Sequence, residues 1–123
     1  MSEISDTLLR QRIRNRIIEN LEMLTDSDSV EKIGTDETLE YWYDYVDENK
    51  INFFIEPVFT KSETNLIQQL HTLIEKEYNN IPTTWETKEL ACNDSWAQVT
   101  RKAFETLKTF QKRGYLDEEN EIT

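Results

Sequence analysis

The chain has 123 residues and a net charge of −11, with 11% aromatic residues, two glycines, two prolines and one cysteine. That length fits a single domain, 1–123, able to bury a core without disulfides, and so many aromatics argue against a disordered chain. Cys92 alone excludes an intrachain disulfide, no basic-then-apolar leader opens the chain, and no apolar run reaches membrane-spanning length, so the expectation is a soluble cytoplasmic protein in a reducing compartment.

The charge is unevenly distributed. Residues 1–18 carry four arginines and two acids, residues 19–48 carry eleven acids against Lys32, residues 49–116 are almost balanced, and 117–123 add four acids. The block 19–48 repels nucleic acid and membrane surfaces of like charge and attracts basic ones.

In chain order, the first helix is predicted from Ser5 or Asp6 to Leu24, because Leu9, Ile13, Ile17, Leu21 and Leu24 recur every three or four residues. The arginines at 10, 12, 14 and 16 flank that stripe and are expected to pair with the acidic block 19–48. A polar stretch, TDSDSVEKIGTD, reads as a loop in which Gly34 turns and Asp36 caps a second helix, Glu37–Glu48. That helix contains LEYWYDYVDE. Helical phase puts Leu39, Trp42, Tyr43 and Val46 on the core face, and Glu37, Tyr41, Asp44, Tyr45 and Glu48 on the opposite, solvent face. Residues 51–59, INFFIEPVF, have no helical spacing and contain Pro57, so they read as an extended, largely buried connector, or as a lone edge strand.

Thr60 and Glu63 have the spacing of a capping box and start a third helix at Lys61, with Leu66, Ile67, Leu70, Leu73, Ile74 and Tyr78 on its apolar face. Asn79, Asn80 and Pro82 end it. A short helical turn is read in Trp85–Ala91. The fourth long helix is capped by Asn93 or Asp94, lined by Trp96, Val99, Ala103, Phe104, Leu107 and Phe110, and stopped at Gly114, where Tyr115 is placed to pack back on Phe110. The tail 117–123 is expected to fray. The fold class is therefore all-α, a compact bundle of four main helices with one or two short extra turns and an extended connector at 51–59.

Catalytic signatures are missing. Carboxylate pairs are unavoidable by chance among 25 acids, and a pair alone does not identify acid–base chemistry. The single histidine, His71, borders an apolar helix face and reads as a packing or surface residue, and Cys92 reads as a semi-buried structural thiol. Asp26, Asp28 and Glu37 fall at positions one, three and twelve of a calcium loop, but Val30 occupies a ligand position and Glu31 the position that needs glycine. No catalytic residue, metal site or cofactor is assigned.

Three stretches together resemble a family of short acidic bacterial proteins without an assigned activity: RNRIIENLEML, YWYDYV, and WAQVTRKAFETLKTFQKRGYLDEENEI. The positions that carry the likeness are Trp42, Asp44 and Val46 in the second and Trp96, Arg101, Ala103, Phe110, Arg113, Gly114, Leu116 and Glu121 in the third. Tyr45 departs from the family pattern, which has tryptophan there, and the middle of this chain is more acidic. The resemblance implies a helical fold and a bacterial origin, and no activity. The reading that charge and exposed tyrosine favour is a protein-binding protein of the toxin-immunity kind, blocking a basic partner such as a nuclease through Glu37, Tyr41, Asp44, Tyr45 and Glu48. The alternative is a housekeeping interaction or structural module, homodimeric or bound to another protein. An enzyme would have to work with carboxylates alone.

The broken calcium loop yields a first prediction. Thermal melts in calcium and in chelator should coincide; a rise in melting temperature with calcium that Asp26→Ala abolishes would show that the 26–37 segment binds the ion.

Overall fold

The structure, a computed structural model, describes residues 4–47 and 52–122. Five helices follow in order: α1 (Asp6–Thr25), α2 (Ser27–Tyr45), α3 (Lys61–Glu77), α4 (Thr87–Ala91) and α5 (Asp94–Gln111), with a 3₁₀ turn at Tyr78–Asn80. Among the described residues there is no strand. α1 packs on both α2 and α5, and α5 packs on α3. α2 and α5 are thus each packed on α1 and not paired with each other, and Trp42 connects α2 to α3 by donating from Nε1 to His71 Nδ1 at 3.1 Å.

Local chemistry explains the helix starts. Ser5 caps α1 by accepting from the Leu8 N–H, and Asn93 caps α5 by accepting from Trp96. At α3 the capping box forms as the spacing predicts, with Thr60 accepting from Glu63 N and Glu63 accepting from Thr60 N. α5 ends where Gly114 adopts φ +70°, its N–H returning to Phe110 O at 2.8 Å. The core gathers Ile17, Leu21, Leu24, Leu39, Trp42, Val46, Phe54, Phe59, Ile67, Leu70, Ile74, Val99 and Phe110.

Several expectations are corrected. The stretch 26–34 is not a loop: Asp26 accepts from Asp28 N, Val30 is buried, and the chain stays helical until Gly34, whose φ of +82° and ψ of 164° break α2 into two arms. Asp36 therefore lies inside α2 and accepts from the Tyr78 hydroxyl instead of capping. The connector is buried at Phe54, Val58 and Phe59, while Ile55 is exposed; residue 51 lies outside the described residues. On α1 the stripe shifts, because Leu9 is 40% exposed whereas Gln11 and Arg14 are wholly buried. Phe104 is 53% exposed, since its phase carries it past the edge of the α5 contact. Cys92 is exposed at the end of α4. Tyr115 is half in solvent, and its hydroxyl donates to Glu22.

The tail is the largest correction. Residues 116–122 lie along α1 because Gln11 and Asn15, one turn apart, act as surrogate backbone groups. Gln11 Nε2 donates to Asp117 O and Asn120 O (2.7 and 2.9 Å), and its Oε1 accepts from Ile122 N. Asn15 exchanges two bonds with Leu116, at 2.8 and 2.9 Å. Arg12 and Arg16 add contacts to Glu118. Two buried amides thus satisfy backbone groups that would otherwise fray.

The arginine cluster pairs within the molecule, but mostly not with the acidic block. Arg10 donates to Phe53 O, Arg16 bridges Glu19 and Glu118, and Arg14 enters the core. There Arg14 Nη1 meets Glu63 Oε1 at 2.6 Å, its other N–H groups reach the carbonyls of Val58, Phe110 and Gly114, and its guanidinium lies 4.7 Å from the Phe110 ring centre. Burial pulls the Arg14 pKa below its usual value, and the bond and charge of Glu63 oppose that pull. Arg113 makes a second, partly exposed contact to the same Glu63 oxygen at 3.1 Å.

Removing one partner of such a pair leaves a buried charge alone. Glu63→Ala, which also opens the capping box, should cost about 3–5 kcal/mol in urea unfolding at neutral pH. Arg113→Ala should cost about 1 kcal/mol, the scale of an exposed pair. Equal losses would show that Arg14 does not depend on Glu63 for compensation.

Candidate interaction face

The second arm of α2 is held on the core by Thr38, Leu39 and Trp42, all buried. The opposite side presents Glu37, Glu40 and Asp44, all exposed. Tyr41, 38% exposed, flanks this row on the side of α1. Of the five residues that helical phase groups together, Glu37, Tyr41 and Asp44 are thus at the surface, and Glu48 lies outside the described residues. Tyr45 is corrected: it is half-buried against the core, because α1 runs alongside and Arg16, Glu19, Asn20 and Met23 form a shallow groove with the two tyrosines. Tyr43, expected in the core, is also only half-buried, with its ring edge-on to His71 (5.7 Å) and Tyr78 (6.2 Å).

Sequence reasoning missed the aromatic residue at the other end of the row. Trp85 is 54% exposed and lies over Gly34. A Cβ on Gly34 would come within 2.9 Å of the indole, so glycine is needed there both for its positive φ and for the ring's approach. The segment carrying Trp85 is pinned to α2 by three bonds. Thr35 N donates to Thr84 O, Thr84 N donates to Thr35 Oγ1, and Thr35 Oγ1 donates to Pro82 O at 2.6 Å. Around the indole stand Ile33, Asp36, Glu37, Glu40 and Thr83. The only signal in the sequence was a tryptophan in a polar stretch after Pro82, and nothing in helical phase links it to α2.

The face can therefore do three things chemically. Its carboxylates attract cations, its indole offers a π surface to them, and Tyr41 adds a second ring about two turns along the helix. His71 contributes nothing here: it is buried behind α2, accepting from Trp42 with Nδ1. Among the described residues no group of three or more His, Cys, Asp or Glu is arranged to hold a metal ion.

The acidic surroundings also act on Tyr78. Its hydrogen bond to Asp36, then burial, then the charges of Asp36 and Glu40, push its pKa up to about 12. A raised folded-state pKa means that this contact stabilises fully below the ordinary tyrosine value near 10 and is lost as pH rises from there towards 12. Asp36→Ala should bring one phenol to a lower pH in an ultraviolet titration of phenolate. The stability gap between the variant and the parent should close over the same alkaline range; an unchanged phenol titration would mean that Asp36 does not hold Tyr78. Compared with family models, curated proteins and solved structures, the chain matches none.

Proposed function

We propose that this protein binds a basic protein through the outer face of α2 and blocks it, in the manner of an immunity protein that neutralises a toxin. The observation that carries the reading is Trp85: a large ring, half in solvent, fixed on Gly34 at the end of a carboxylate row. A mobile exposed tryptophan would lose entropy on binding, whereas one already pinned supplies contact area at lower cost. Glu37, Glu40 and Asp44 would steer the partner and pair with its Arg or Lys, and Trp85 and Tyr41 would be the anchors. A toxin that acts on nucleic acid has a positive cleft to hold phosphate, and an acidic face can fill it. The resemblance to short acidic bacterial proteins fits a protein kept beside such a toxin.

The test is capture from the native host with the intact protein and with Glu37→Lys/Glu40→Lys, followed by titration of whatever only the intact protein retains. That partner should be basic. Trp85→Ala should weaken it by roughly 30-fold or more, the cost of losing a central anchor of about 2 kcal/mol. Charge reversal at Glu37 and Glu40 should slow association and flatten its salt dependence. A partner that binds Trp85→Ala and the charge-reversed protein as tightly as the parent would remove the α2 face from the reading.

A further inference from the structure

The acidic face has a counterpart on the same molecule. α5 turns Arg101, Glu105, Lys108 and Lys112 outward, all exposed, and Phe104, 53% exposed, stands beside them. Lys108 Nζ lies 5.3 Å from the centre of the Phe104 ring. Three bases around one exposed ring, with a single acid, thus form a ridge in a chain whose net charge is −11. The two ridges lie on helices that are not a packed pair, since α2 and α5 each pack on α1.

We infer that the basic ridge of α5 docks on the acidic ridge of α2 of a second copy of this chain. Charge complementarity selects that occupant. Glu37, Glu40 and Asp44 span about 10 Å of helix, and Arg101, Lys108 and Lys112 about 16 Å, at roughly 1.5 Å per residue, so one row can lie along the other. Phe104 meets Trp85 or Tyr41, which gives each ridge an aromatic contact beside its charges. Each copy carries both ridges, so two copies can pair reciprocally or leave one ridge open to a further copy, and in either case assembly grows with concentration. A contact of one helix face on another is at the small end of protein interfaces and is correspondingly weak. Net repulsion between copies opposes it, but at ordinary salt charges more than about 8 Å apart are largely screened while facing ridges are not. The inference uses the α2 face named under Proposed function and adds its regulation: self-association covers that face until a more strongly charged partner displaces it.

Sedimentation velocity of the intact protein tests this without any partner. At about 0.15 M salt the mean mass should rise above 14.7 kDa with concentration, and should return to the monomer value when salt is raised to about 1 M. Glu37→Lys/Glu40→Lys and Lys108→Glu/Lys112→Glu should each stay monomeric under the same conditions. Mixed together they should associate again, since one retains the α5 ridge and the other the α2 ridge. Phe104→Ser, which alters no charge, should weaken association about tenfold or more. A parent protein that is monomeric at about 0.15 M salt and high concentration overturns the inference and leaves the partner reading intact, as does a mixture of the two charge-reversed variants that stays monomeric. Association that survives both reversals would place the contact elsewhere and overturn it equally.

Discussion

The buried pair of Arg14 and Glu63 organises this fold, because three separate chain segments end on it. Glu63 closes the start of α3 through the Thr60 N–H and, with the same oxygen, takes Arg14 from α1 and Arg113 from the end of α5. Arg14 in turn reaches Val58 in the connector, and Phe110 and Gly114 at the α5 stop. A wholly buried guanidinium is expensive unless nearly every N–H is used, and here the carbonyls come from helix ends and a connector whose backbone groups lack helical partners. The cost of burying the charge and the cost of ending the helices offset each other. Such a cluster is poor evidence for great stability and better evidence for a fixed arrangement of elements, since few other packings would bring those carbonyls together.

The candidate face depends on a second, smaller device. Gly34 splits α2, and the reciprocal bonds between Thr35 and Thr84 lock the 82–85 segment to the break. Without a Cβ at 34 the indole of Trp85 rests on backbone, and its exposure is then a consequence of where it is pinned. The first arm of α2, Ser27 to Ile33, packs Val30 inward. The second arm carries the carboxylate row. One residue with positive φ thereby separates a packing role from a surface role within what would otherwise be a single helix.

Much of this was legible in the sequence. The capping box of Thr60 and Glu63, the Asn93 cap and the Gly114 stop depend on local chemistry and fall where spacing puts them. Trp42 and Trp96 are buried as helical phase requires. One miss is local, the polar stretch 26–34, where Asp26 caps a helical arm; the others are tertiary. Gln11 and Asn15 look like surface polar residues, and only the arriving tail makes them buried. Arg14 sits on the flank of an apolar stripe and becomes core because Glu63 is 49 positions away. Tyr45 follows the predicted phase, yet α1 covers it. Phase gives a direction from a helix axis and says nothing of what lies in that direction. Trp85 was missed for the same reason, as its position is set by a turn meeting a kink.

The carboxylate row has a local cost that bears on why it exists. Glu37 with Glu40 and Glu40 with Asp44 are like-charged neighbours at three and four residues, each unfavourable by about 0.2–0.5 kcal/mol in a helix. α2 carries no basic residue in its last turn, where the helix dipole would favour a cation by on the order of 0.3–1 kcal/mol at low salt. Lysine at 40 or 44 would reverse several of these terms without touching Leu39 or Trp42. The buried face of α2 holds the helix against them. Like charges kept together on an exposed surface, at a cost to the helix that carries them, are a pattern that stability alone does not select. The basic ridge of α5 breaks the charge balance in the opposite sense, but there Lys108 lies in the last turn, where the dipole favours it. Lys108 and Lys112, four residues apart, repel in their turn, so that on α5 the gain from the dipole and the like-charge cost offset each other.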